Sequence, residues 1–76
     1  MPQIHETALV SPAATIGDDT RVLHYVQIRE GATIGRNCII GKGTYIDFDV
    51  TIGDNTKIQN ACQVYHGVEI KDGVFV

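Results

Sequence analysis

His24, Lys42 and Asn60 stand eighteen residues apart, each two residues after an aliphatic one. Stacked, they would set an imidazole, an ammonium and a carboxamide along one edge. Histidine can accept a proton from a reacting group near neutral pH, and lysine offers a compact positive charge to a phosphate. A second set at the same spacing is Glu30, Phe48 and His66, with Arg29, Tyr45, Asp47, Asp49 and Tyr65 around it. Arg29 can grip a phosphate through two nitrogens. Tyr65 can stack on a flat ring. The plainer reading of the first set is a wet corner, and that of the second is a packed interface between copies of the chain with an Arg29–Glu30 surface ion pair.

The spacing has a cause in the chain's period. Every sixth residue from Ile4 to Val76 is Ile or Val, thirteen positions without a slip. Two residues before each lies a small or β-branched residue, such as Ala14, Thr20, Val26, Cys38, Val50 or Cys62. The residue between is mostly polar, such as Thr15, Arg21, Gln27 or Lys57. In–out–in alternation describes a half-buried strand. All eight glycines fall in two phases of the hexad. One of these holds Gly31, Gly43, Gly67 and Gly73, and Asn37 and Asn55 join them. Gly and Asn tolerate positive φ, so that phase predicts the bends.

The segments "ATIGDD", "ATIGRN" and "VTIGDN" begin at Ala14, Ala32 and Val50, again eighteen apart. Three hexads therefore make one coil, and the chain predicts about four triangular coils. At an inter-strand spacing of ~4.8 Å the prism is roughly 20 Å tall. Each coil covers its neighbours, as in other solenoids. The pattern predicts an all-β, single-domain parallel β-helix over residues 1–76.

Composition narrows the function classes. Six Lys+Arg against nine Asp+Glu in 76 residues give a net charge of −3, which argues against a nucleic-acid surface. Apolar runs are too short to span a membrane. No signal peptide is visible at Met-Pro-Gln. Two cysteines make no disulfide framework, so a reduced, cytoplasmic setting is expected. Cys38 and Cys62 share the inward phase and read as buried spacers. His5, His24 and His66 predict no close pair from which a metal site could start, so no metal is expected. The ladder Thr15, Thr33, Thr51 lacks the second threonine file of an ice-binding face. "TIGDD" and "TIGRN" are bends with no helix behind them to present an anion site.

From Val10 onward, and above all in "IREGATIG", "YIDFDVTIGDN" and "KIQN", the chain resembles the left-handed β-helix acyltransferases. The branch it resembles is the sugar-nucleotide N-acetyltransferases that modify a 3-amino group, those acting on UDP-2-acetamido-3-amino-2,3-dideoxy-glucuronate above all. That resemblance implies a left-handed winding, a homotrimer, acetyl-CoA as cosubstrate and a nucleotide-sugar acceptor bound between prisms. On it, His24 is the expected proton acceptor. Arg29, Glu30, Lys42, Asp47, Asn60, Tyr65 and His66 are the expected substrate contacts. In that branch a catalytic Asn follows the equivalent of Val76, so residues 1–76 are expected to be the N-terminal coils of a longer chain. The rival expectation is a non-catalytic β-solenoid piece whose activity is self-association.

Overall fold

Alternating inward and outward residues form strands only two residues long, because a bend follows every hexad. The computed structural model describes residues 1–76. Its first coil holds β1 (Gln3–Ile4), β2 (Leu9–Val10) and β3 (Thr15–Ile16). The second holds β4 (Arg21–Val22), β5 (Gln27–Ile28) and β6 (Thr33–Ile34). The third holds β7 (Ile39–Ile40), β8 (Tyr45–Ile46) and β9 (Thr51–Ile52). The fourth holds β10 (Lys57–Ile58), β11 (Gln63–Val64) and β12 (Glu69–Ile70). Phe75 begins another turn by bridging to Lys57.

Strands pair only with those one coil away, giving three parallel sheets of four strands: β1-β4-β7-β10, β2-β5-β8-β11 and β3-β6-β9-β12. The register is eighteen throughout, as in Ile16↔Ile34↔Ile52. The prism measures 27 × 22 × 21 Å, close to the height the hexads predict.

The core is the aliphatic file the sequence marks. Val22, Ile28, Ile34, Ile40, Ile46, Ile52 and Ile58 are at most 1% exposed. Ile4 and Val76 lie in the same file but keep 44% and 41% of their surface, being packed by a coil on one side only. The small inward file includes buried hydroxyls, which are tolerated only when bonded. Thr20, Thr44 and Thr56 donate to the carbonyls of Gly35, Gln59 and Lys71, each fifteen residues on, at 2.7, 3.0 and 3.1 Å. Cys38 Sγ reaches the Gly53 carbonyl at 3.1 Å in the same way, which makes it a stitch between coils as well as a spacer.

The bends follow the expected phase and extend it. Besides the four glycines and two asparagines, Asp19, Tyr25, Asp49 and Ala61 take φ near +60°. Each sits three residues after an aliphatic core position. The other glycine phase works by closeness instead. A Cβ on Gly35 would stand 2.8 Å from the Asp54 nitrogen and 2.9 Å from the Gly53 carbonyl carbon. The coils at that edge therefore lie too close for a side chain.

Candidate functional site

Each coil has three edges. The edge after β3, β6 and β9 begins with Gly17, Gly35 and Gly53, so its coils approach closely at that position, and the polar side chains of Asp19, Arg36, Asn37, Asp54 and Asn55 follow them. The edge after β2, β5, β8 and β11 begins instead with Ser11, Arg29, Asp47 and Tyr65. There side chains stand where the other edge has glycine, and those of Arg29 and Asp47 join Glu30, Tyr45 and His66 in one connected network.

Asp47 is its hub. The residue is 6% exposed, so a bare charge here would be costly unless fully bonded. Oδ1 accepts the Phe48 backbone N–H at 2.9 Å and the Tyr45 hydroxyl at 3.0 Å. Oδ2 accepts the His66 backbone N–H at 3.1 Å and lies 2.9 Å from His66 Nδ1. Arg29 Nη1 stands 3.9 Å away and donates to the Tyr45 hydroxyl at 3.0 Å. The hydrogen bond from His66, then those from the backbone of Phe48 and His66 and from Tyr45, hold the Asp47 carboxyl well below the usual carboxylate range, against the opposing effect of burial.

Arg29 also pairs with Glu30, Nε to Oε1 at 3.0 Å and Nη2 to Oε2 at 3.2 Å. The bond to Glu30, then that to Tyr45, raises the guanidinium pKa above its ordinary value. Arg29 in turn lowers that of Glu30. The imidazole of His66 lies flat on the Phe48 ring, centroids 4.6 Å apart and planes 11° apart. Its side chain remains 61% exposed. Tyr65 hydrogen-bonds to Gln63 and lies 6.5 Å from the Tyr45 ring. A shallow groove lined by Leu9, Ser11, Gln27, Arg29 and Glu30 runs from this edge onto the neighbouring wall.

The expected contacts thus divide. Arg29, Glu30, Asp47, Tyr65 and His66 share one edge. Solvation does not account for Asp47, which is buried. His24, Lys42 and Asn60 stack on the edge after β4, β7 and β10. There the Asn60 carboxamide oxygen accepts the Lys42 backbone N–H at 2.9 Å, so that oxygen stitches coils together.

One expectation is overturned. The histidines do include a close pair: the rings of His5 and His24 lie 3.7 Å apart, tilted by 32°. Eighteen-residue columns conceal it because the two are nineteen apart. The first residue of an edge reaches up beneath the second residue of the next coil. Asp47 and His66 meet by the same offset. His5 Nδ1 is 2.9 Å from the Thr7 hydroxyl, and no group of three or more His, Cys, Asp or Glu side chains is placed to hold a metal ion. Tyr25, beside His24, is 65% exposed on a backbone with φ of 60°. Its place in the bend phase was the available signal.

Two family models match the chain. The bacterial transferase hexapeptide (six repeats) covers residues 13–47, and the hexapeptide repeat of succinyl-transferase covers residues 31–65. The chain belongs to the hexapeptide-repeat transferases. The hexads themselves predict the parallel β-helix; its left-handed winding is what the family resemblance implies. Among curated relatives of this family, the chain is 40% identical over 58 residues to the acyl-(acyl-carrier-protein)–UDP-N-acetylglucosamine O-acyltransferase of Chlamydia pneumoniae. That match takes in 76% of this chain and 21% of the relative. Two solved structures share the fold. The acetyltransferase domain of PglB from Neisseria gonorrhoeae superposes with a TM-score of 0.67 at 20% identity, over 100% of this chain and 49% of that one. A variant of perosamine N-acetyltransferase from Caulobacter crescentus, in complex with CoA and GDP-perosamine, superposes at 0.61 with 24% identity, over 97% and 41%. The chain therefore spans about a fifth of the curated relative and less than half of each structure.

Proposed function

We propose that the protein transfers an acetyl group from acetyl-CoA to the amine of a nucleotide-linked amino sugar, in surface-polysaccharide biosynthesis, with residues 1–76 supplying the first coils of the catalytic prism. The observation that carries this reading is the edge holding Arg29, Asp47 and His66. It sets a guanidinium that lines a groove on the prism wall and an exposed imidazole, both tied to one buried carboxylate. A guanidinium suits a diphosphate. An imidazole suits an amine that must shed a proton as it is acylated. The names of the relatives support the acceptor class, since two of them act on sugars linked to UDP or GDP. The CoA complex of one supports the donor. Lys42, on the other edge, is a second cation available to a phosphate.

A homotrimer is part of the proposal. Leu9, Tyr25, Tyr65 and Phe75 are each more than half exposed, a load of apolar surface that a neighbouring prism would cover. A cytoplasmic setting accords with two free cysteines. The test is direct. The protein is mixed with acetyl-CoA and either UDP-2-acetamido-3-amino-2,3-dideoxy-glucuronate or a dTDP-linked amino-deoxyhexose, and products are read by mass spectrometry. An amide-linked acetyl product is expected. An ester product, or none, overturns the reading.

A further inference from the structure

We propose that His5, Thr7 and His24 form a proton-sensitive latch, which holds the first coil on the second near neutral pH and releases it in acid. The Thr7 backbone N–H donates to His5 Nδ1 at 3.1 Å. The Thr7 hydroxyl stands 2.9 Å from the same nitrogen. The Tyr25 backbone N–H, one coil on, donates to that hydroxyl oxygen at 2.9 Å. A backbone N–H can only give its hydrogen, so Nδ1 must carry a lone pair. His5 is therefore neutral in this arrangement, with its hydrogen on Nε2. The Thr7 hydroxyl accepts from Tyr25 and has its own hydrogen free for Nδ1.

A proton on His5 undoes this arrangement. Nδ1 becomes a donor facing the Thr7 N–H, and attraction turns to repulsion. The groups around the ring do not offset the new charge. The His24 ring lies 3.7 Å from that of His5, centroid to centroid, so the second imidazole takes a proton only beside a like charge. Lys42 follows His24 in the same column as a further cation, and Tyr25 beside His24 presents a phenol. Glu6 is the acid of this edge; it is exposed and pairs with neither ring. Asp47 and His66 respond in the opposite sense, since a protonated His66 still donates to Oδ2. Acid therefore loosens coil one and leaves the later coils joined. The chain runs from Thr7 into β2, and Leu9, Val10 and Ser11 form one side of the groove whose other side holds Gln27 and Arg29. Release of the latch takes that side away.

The test is amide hydrogen exchange by NMR at pH 7.5 and 5.5, corrected for the intrinsic exchange rate. A free histidine titrates near pH 6.5, so at pH 5.5 about a tenth of it is neutral. The Leu9 and Tyr25 amides donate across the first two coils, to the Val26 carbonyl and the Thr7 hydroxyl. Their protection should fall at least about tenfold between the two pH values. The Tyr45 and Asp47 amides, which donate to Cys62 and Val64, should hold theirs within about twofold. His5→Asn offers a carboxamide oxygen to the Thr7 N–H at either pH and should abolish the fall. Nitrogen-15 shifts should show wild-type His5 as the Nε2–H tautomer at pH 7.5. Unchanged Leu9 and Tyr25 protection, a fall shared equally by the third coil, the same fall in His5→Asn, or an Nδ1–H tautomer overturns the proposal. The wild-type readings decide it even where the variant does not fold.

Discussion

Asp47 and His66 are nineteen residues apart, and Oδ2 of the one stands 2.9 Å from Nδ1 of the other. The offset is one coil plus one residue. It ties the first side chain of an edge to the second side chain of the coil above, and so couples a buried charge to an exposed imidazole.

That coupling predicts an acid dependence. The Asp47 carboxyl is held below its ordinary range in the fold. Its stabilising contribution is therefore fully present above the unfolded value of about 4 and is lost as pH falls below that toward the lower folded value. The wild-type melting temperature should drop in that window. Asp47→Asn should melt lower at neutral pH and show a shallower acid drop. Parallel curves for the two proteins would contradict the bonding described for Asp47.

Ile52 tests the register. It is 1% exposed, between Ile34 below and Ile70 above. Ile52→Asp places an unpaired carboxylate in an apolar stack, at a loss of several kcal/mol against a total stability of about 5–15. Circular dichroism should show an unfolded chain. A folded, soluble variant would refute the inward file.

Ala61 tests the bends. Its φ of 60° brings Cβ against the following carbonyl, at roughly 1–2 kcal/mol for an L-residue. Glycine removes that strain and gives back about 0.5–1 kcal/mol in unfolded-chain entropy. Strain outweighs entropy, so Ala61→Gly should stabilise by up to about 1 kcal/mol. Denaturant midpoints would register the shift, and a loss of stability would contradict the left-handed bend.

Glu30 tests the phosphate role proposed for Arg29. The two pair at 3.0 Å on a largely exposed surface, and such pairs are weak. Glu30→Gln frees Arg29 for a diphosphate. KM for the nucleotide sugar should fall roughly two- to fivefold, with kcat nearly unchanged. A rise in KM would make Glu30 itself the substrate contact.

Most of the architecture was legible in the chain. A strict hexad with an eighteen-residue overlay fixes strand, bend and coil, since one large aliphatic residue and one small or β-branched residue per wall fill the triangular interior. Bends at Gly31 and Asn37 were visible as residue types. Those at Tyr25 and Ala61 were visible only as phase, because propensity argues against both. The site was half legible. Columns of eighteen grouped Glu30, Phe48 and His66 correctly, as strand register dictates. They missed Asp47–His66 and His5–His24, because side chains at an edge lean toward the next coil and meet at nineteen. Nor did the sequence show that Asp47 is buried. Its acidity suggested water, while four donors from its own coil and the next one enclose it.

Nucleotide-sugar chemistry is proposed for the edge holding Arg29, Asp47 and His66. The direct measurement is amide and imidazole chemical-shift mapping as the protein is titrated with UDP-2-acetamido-3-amino-2,3-dideoxy-glucuronate. Saturable shifts centred on Arg29, Glu30, Phe48 and His66 are predicted. Shifts confined to the edge of His24, Lys42 and Asn60, or none at saturating ligand, would contradict the account.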